Sequence, residues 1–318
     1  MKKIPLEWSR IQKINKIVDR SNPNTVIPLG DDSFVYKNFS GKSVWCQDLQ
    51  VEGIHFKREY TSAADLGYKS LAVNISDIVA MGGTPHFAQV SLAIPKEISD
   101  EWIEDFYLSM AELADQCQCQ IVGGDLTASP GPIFVDVSVM GSVENPIPRK
   151  GARPGDLLLC SGPLGSSAAG LIALTNSWPD FDFVKNQHRR PRPRWDLLKM
   201  LEEHSQHIHA LMDCSDGLVV DSYKLIPFQG GLKIFTENLP LHPETPKVAD
   251  RMGVSSEDLA LWGGEDYQLL AAVSPEAYQH FQEWHLVGQF TDAAGVFLEK
   301  ENSSVALEEL RGFKHFGS

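Results

Sequence analysis

The segment from Asn145 to Gly155 (Asn-Pro-Ile-Pro-Arg-Lys-Gly-Ala-Arg-Pro-Gly) breaks the chain more sharply than any other stretch, with three prolines and two glycines in eleven residues. Neither a continuous helix nor a central strand survives that composition, because each proline removes a backbone donor and fixes φ. On both sides of the break the same grammar recurs: apolar residues at helical spacing alternate with short strand-like runs, the pattern of α/β or α+β domains. The junction therefore predicts two domains, residues 1–148 and 149–318 of a 318-residue chain. Each is long enough to bury its own core, and the 42% hydrophobic content supplies the material.

In the first half, Ile4, Trp8, Ile11, Ile14 and Val18 predict an opening helix, and residues 64–81 a second, stopped by Gly82-Gly83. A third follows Ser99, whose hydroxyl suits an N-cap ahead of Asp100 and Glu101. Strand-like pieces lie at 44–47, 87–94, 120–122 and 133–143; the last alternates Ile133, Val135, Val137 and Val139 on one face, so its sheet is covered on at least one side. The second half predicts strands at 157–160, 210–213, 232–236 and 269–273 and around Leu286. Helices are predicted at 166–174 and 195–203, from about Asp216, and between the last two strands.

Acidic residues outnumber basic ones 42 to 28, a formal charge of −14, which is the wrong sign for gripping nucleic acid through phosphates. A chain this acidic that handles phosphates needs borrowed positive charge. No signal peptide is visible at the N-terminus and no apolar run approaches the roughly 18 residues of a bilayer span, so a soluble cytoplasmic protein with no membrane partner is expected. The five cysteines contain no C-x-x-C pair and read as free, buried thiols.

The informative pattern is where aspartates fall. Gly30-Asp31-Asp32, Gln47-Asp48, Ser76-Asp77, Gly123-Gly124-Asp125 and Asp213-Cys214-Ser215-Asp216-Gly217 each set Asp beside Gly or a small polar residue. Any one of these is more often a turn or N-cap aspartate; five together are harder to dismiss, and if they converge the physics constrains what sits between them. Two like charges ~4 Å apart repel by about 4 kcal/mol at an effective dielectric near 20, so such a cleft needs a cation, and short carboxylates suit Mg²⁺ shared with substrate phosphates. No P-loop or protein-kinase signature occurs. Gly162 to Gly165 ahead of Ser166 reads either as a helix N-terminus that takes an anion or as tight strand-to-helix packing. His55 reads equally as structural or functional, the Gly263–Tyr267 stretch as a charged turn or a substrate-orienting loop, and the basic run His188–Arg194 as a surface loop or a local phosphate contact. His204, His207 and His209 read as a solvated face rather than a zinc site.

Taken in order, residues 29–32, Asp48, 51–56, 74–82, 123–125, 213–218 and 263–267 resemble the thiamine-monophosphate kinase family, an ATP-dependent branch of the superfamily that contains aminoimidazole ribonucleotide synthetase. The ordered set is highly specific although each motif alone is not. The resemblance implies a two-domain aminoimidazole ribonucleotide synthetase-like α/β (α+β) fold with mixed sheets covered by helices. It implies a homodimer paired through the N-terminal domains, with the C-terminal domain completing the active site. The implied reaction is ATP plus thiamine monophosphate to ADP plus thiamine diphosphate. By position, Asp32, Asp48, Asp77, Asp125, Asp213 and Asp216 match Mg²⁺-binding aspartates; Gly124, Asp125, Arg149 and Ser215 match nucleotide contacts; His55 and Glu265 match substrate contacts; Asp48, Asp125 and Arg149 form the implied catalytic set. Cys46 and Gln47 stand where the family carries small hydroxyl residues, leaving backbone carbonyls as metal ligands there, and Leu310 stands where an aromatic would face the substrate ring. The reactive cysteines that selenophosphate synthetase and the hydrogenase-maturation dehydratase of this superfamily need have no counterpart. A non-catalytic nucleotide- or metal-binding homologue would not demand six aspartates.

Overall fold

The computed structural model describes residues 6–30, 33–226, 230–300 and 303–309. The chain divides into two compact units, one running to Val79 and over Gly83–Glu144, the other holding Ala80–Gly82 and the chain from Asn145 onward.

The first unit comprises α1 (Leu6–Val18), β1 (Thr25–Ile27), β2 (Val35–Tyr36), β3 (Lys42–Val51), α2 (Ala63–Val79), β4 (Thr84–Ile94), α3 (Asp100–Gln116), β5 (Gln120–Ala128) and β6 (Phe134–Val143). Strands β1 and β2 form a separate antiparallel pair. The main sheet runs β3-β6-β4-β5, antiparallel except for the β4/β5 pair joined through α3. The alternation read in β6 holds: Val135, Val137 and Val139 are fully buried while Phe134, Asp136 and Ser138 are only half-buried. Helix α2 lies between the sheet and α3, which is why nearly all its residues are buried, Asn74 and Ser76 included. Gly67 lets the two helices approach, since any side chain there would collide with the Phe106 carbonyl. Ser99 caps α3 as predicted, its Oγ accepting the Trp102 N–H at 3.2 Å. Helix α1 is tied to α3 by Arg10 and Lys13 on Asp100.

The second unit comprises β7 (Leu157–Cys160), α4 (Ser166–Thr175), α5 (Asp182–Arg189), α6 (Leu198–Glu203), β8 (Ile208–Asp213), α7 (Leu218–Leu225), β9 (Gly231–Phe235), α8 (Glu244–Met252), α9 (Ser256–Trp262), β10 (Leu269–Val273), β11 (His285–Thr291), β12 (Gly295–Lys300) and β13 (Ser303–Ala306). Its seven strands run β13-β12-β9-β11-β7-β10-β8, with only β12/β9 parallel. Strand β10, between β7 and the edge strand β8, is buried along its whole length, and Leu158, Met212, Leu232 and Leu270 join one core beneath α7 and α9. The helix predicted at 195–203 opens as a 3₁₀ turn, Trp195–Leu197, and the one expected after β10 is the 3₁₀ segment Pro275–His280. Helices α5, α8 and α9 were not predicted. All five cysteines are free, and all but Cys46 are buried. Among the described residues, no helix is long and apolar enough to cross a membrane.

Candidate active site

Strand β3 exposes alternate residues, so Trp45, Gln47 and Leu49 face outward while Cys46, Asp48 and Gln50 turn toward α2. Cys46 Sγ donates to the Asn74 carbonyl at 3.2 Å, which pins β3 on the polar stripe of α2. One turn along that stripe, Asp77 shares a hydrogen bond with Asp48. Burial first, and then the charge of Asp136, hold the Asp48 carboxyl above its ordinary value, while the bond to Asp77 pulls it down. Two predicted residues therefore meet across β3 and α2, and a third carboxylate that was not predicted acts on them. Asp136 accepts from Gln47 Nε2 at 2.6 Å across the β3/β6 pair, which employs the Gln47 side chain and leaves its carbonyl in the ladder. The β6 alternation did place Asp136 on the polar face; what it lacked was the strand opposite.

Asp125 and Gly124 lie inside β5, which runs three residues past Asp125, rather than at a strand end. Asp125 pairs with Ser91 and Ser91 with Asp136, so the register sets the two acids in one cross-strand row, two strand spacings or about 10 Å apart. Gly124 sits at φ +144°, and a side chain there would collide with the Val90 backbone. Only glycine passes that close to a neighbouring strand. The charge of Asp125 also reaches Tyr107 on α3, whose buried hydroxyl is pushed above its ordinary range chiefly by burial. His55 takes the Val51 N–H on Nδ1 at 3.0 Å, which leaves Nε2 to carry the proton of the neutral ring. Asp32 and Leu310 lie outside the described residues.

In the second unit, β8 ends at Asp213 and the chain turns through Cys214–Gly217 into α7. The carboxylate of Asp221, fully buried, accepts the N–H groups of Ser215, Asp216 and Gly217 at 2.8–3.1 Å on Oδ2. Lys224 Nζ bridges Asp221 Oδ1 at 2.7 Å and Asp216 Oδ2 at 2.6 Å. Burial pulls the Lys224 ammonium down, but the two carboxylates outweigh it and leave it above its ordinary value. Alongside, Glu265 N–H donates to the Ser215 carbonyl at 2.8 Å and Tyr267 N–H to that of Cys214 at 2.9 Å, so Glu265 is held against the Ser215 turn. Glu265 and Tyr267 both take left-handed backbone, φ 64° and 51°, a conformation that costs a non-glycine residue about 1 kcal/mol.

Between those two lies Asp266, which answers the question left open by the Gly162–Ser166 turn. Its buried carboxylate accepts from Gly165 N–H at 2.6 Å and Ser167 N–H at 2.9 Å, so the anion at the α4 N-terminus is the chain's own side chain. Burial pushes Asp266 up to about 7 despite those donors. The basic run is correspondingly not a surface loop: His188 is buried against Ser167 Oγ at 3.0 Å, and Arg194 bonds the Ser161 carbonyl and Gln268. Arg149 is exposed, in a segment pinned along β8 by the Pro148 carbonyl accepting from Leu211 N–H and by Gly151 packed on the His209 carbonyl.

The donor set decides which cation fits. Among the described residues, no three His, Cys, Asp or Glu side chains converge as a ready metal cage. Paired carboxylates such as Asp48 with Asp77 are what Mg²⁺ uses, because it keeps water and takes most of its remaining ligands from substrate phosphates. An all-oxygen pair of carboxyls fits that hard cation and not zinc.

Residues 30–143 match the family model for the N-terminal domain of AIR synthase related proteins. Thiamine-monophosphate kinase of Aquifex aeolicus is 34% identical over 91% of this chain and 92% of its own, and that of Bacillus subtilis 35% identical over 91% and 93%. A solved structure of AaThiL complexed with AMPPCP and TMP superposes with a TM-score of 0.78, at 31% identity, over 99% of this chain and 100% of that one. Likeness of that extent spans both units and every motif in the described residues, and on it the chain belongs to the thiamine-monophosphate kinase family.

Proposed function

We propose that this protein transfers the γ-phosphoryl group of ATP to the phosphate of thiamine monophosphate, releasing ADP and thiamine diphosphate, by direct in-line displacement. The observation that carries this reading is the kinship over nine-tenths of the chain with thiamine-monophosphate kinases, one of which has been solved with an ATP analogue and TMP. The acceptor is a phosphate monoester whose second pKa is near 6, so it reaches the enzyme already dianionic and needs no general base. Catalysis then reduces to positioning and charge neutralisation. This suits an acidic chain in which His55 is engaged in its own turn and His188 is buried.

Asp48, Asp77 and Asp125 in the first unit and Asp213 and Asp216 in the second, with Asp32, would hold Mg²⁺. When bound, Mg²⁺ supplies the positive charge that lets phosphate oxygens approach these carboxylates. Gly124 and Ser215 would contact the nucleotide, and the exposed Arg149 would offer its phosphates a guanidinium. Glu265, fixed by its backbone bond to Ser215, and His55, whose Nδ1 accepts the Val51 N–H, would bind the substrate, together with Leu310. The outer face of the β3-β6-β4-β5 sheet, where Trp45 and Leu49 are exposed, pairs with a second copy, and the dimer works in the cytoplasm.

Product analysis with the purified protein tests the reading. Thiamine diphosphate should accumulate from thiamine monophosphate, ATP and Mg²⁺, and not from thiamine. ATP turnover on another acceptor, with thiamine monophosphate inert, would instead make this a different ATP-dependent enzyme of the same fold. Nucleotide binding without turnover would leave a non-catalytic homologue.

A further inference from the structure

The second unit holds a cation of its own among the residues assigned above to Mg²⁺ and nucleotide. Lys224 Nζ lies 2.6 Å from Asp216 Oδ2 and 2.7 Å from Asp221 Oδ1, and its side chain is one-third exposed, at 32%. Asp221 cannot leave: it is fully buried, with its other oxygen committed to the three N–H groups of Ser215, Asp216 and Gly217. It therefore anchors the ammonium from one side. Asp216, 37% exposed, is the partner open to solvent. A carboxylate whose oxygen faces an ammonium at this distance offers that oxygen to a metal ion only after the ammonium is displaced.

We propose that Lys224 is a built-in counter-ion for Asp216, anchored by Asp221, which a divalent cation must displace, so that Lys224 sets how much Mg²⁺ the enzyme requires. On binding, the cation takes the Asp216 oxygen while the ammonium stays on Asp221, so the buried carboxylate is never left without its partner. No proton moves in this exchange. The inference rests on the reading of Asp216 as a Mg²⁺ ligand.

Metal affinity read without turnover tests it. Mn²⁺ is titrated into the protein saturated with AMPPCP, and the free ion is followed by electron paramagnetic resonance. Melting in EDTA shows that each variant is folded. Lys224→Gln, which keeps a polar group and removes the charge, is expected to tighten Mn²⁺ binding about threefold to tenfold, the range open to a partly exposed pair with two partners. The Mg²⁺ concentration for half-maximal rate should fall in parallel. Lys224→Arg, which keeps the charge, is expected to stay within about twofold of the parent. Weaker or unchanged Mn²⁺ binding in Lys224→Gln, while Asp216→Asn weakens it, would overturn the proposal and leave Asp216 as a ligand. If Asp216→Asn has no effect on Mn²⁺ binding, the ligand assignment itself falls and the proposal with it.

Discussion

At the scale of single residues, Asp48 concentrates the tension in this protein. Its carboxyl is held above the ordinary value of 3.8 by burial and by Asp136, so the unfolded chain gives up that proton first as pH rises. The stability Asp48 contributes is complete below its unfolded value and is lost as pH climbs through the folded one. At neutral pH without a divalent cation the fold therefore carries a penalty that Asn would not. Asp48→Asn is expected to raise stability in EDTA by roughly 0.5–1.5 kcal/mol while lowering turnover by orders of magnitude. Thermal melts paired with steady-state rates check this, and an unchanged rate with a lower melting temperature would remove Asp48 from the site. Asp266 follows the same sign. Its carboxyl titrates at about 7, so its share of stability is present below about 4 and lost as pH passes 7. Carboxyl ¹³C NMR should show Asp266 titrating near neutrality, and a midpoint in the ordinary carboxylate range would mean that the α4 N-terminus outweighs burial.

At the scale of elements, local chemistry was legible where an element carries its own signal. Ser99 announced α3, and the β6 alternation announced a sheet covered on one face. What could not be read was any partner far along the chain. The α4 turn read either as an anion site or as tight packing, and the anion that settles it, Asp266, is 101 residues from Gly165. The pairing of Asp136 with Gln47 depends on the β3/β6 register, and the anchoring of Lys224 on Asp216 depends on how the turn enters α7. Helices α5 and α8 escaped because each is short and mostly polar, and α8 carries Pro246 in its first turn, where proline is tolerated although it reads as a breaker. Strand β5 was predicted to stop short of Gly123-Gly124 because glycine weakens strands; here it marks a close backbone approach. Gly124→Ala is accordingly expected to destabilise the protein by about 2–4 kcal/mol, against less than about 0.5 kcal/mol for Gly131→Ala, where a side chain meets open space. Urea titrations of both variants check the contrast; equal stabilities would mean β5 relaxes away from Val90.

At the scale of the whole molecule, both units carry a mixed sheet with a single parallel pair, and the second braces its Ser215–Gly217 turn with backbone donors to Asp221. Ordered motifs made the family legible, whereas composition alone supplied only the need for a cation. Exposed Trp45, at 68%, and Leu49, at 49%, predict a dimer through that sheet face. Light scattering should give twice the 35.3 kDa chain mass, and Trp45→Glu should shift it toward monomer; a monomeric parent would contradict the pairing. The measurement closest to the central claim follows the phosphorus itself. With γ-³²P-labelled ATP, label should pass into thiamine diphosphate, one for each ADP formed, only when thiamine monophosphate and a divalent cation are both present, leaving no label on the quenched protein. Label retained on the protein, or ADP formed with free phosphate and no thiamine diphosphate, would contradict direct transfer.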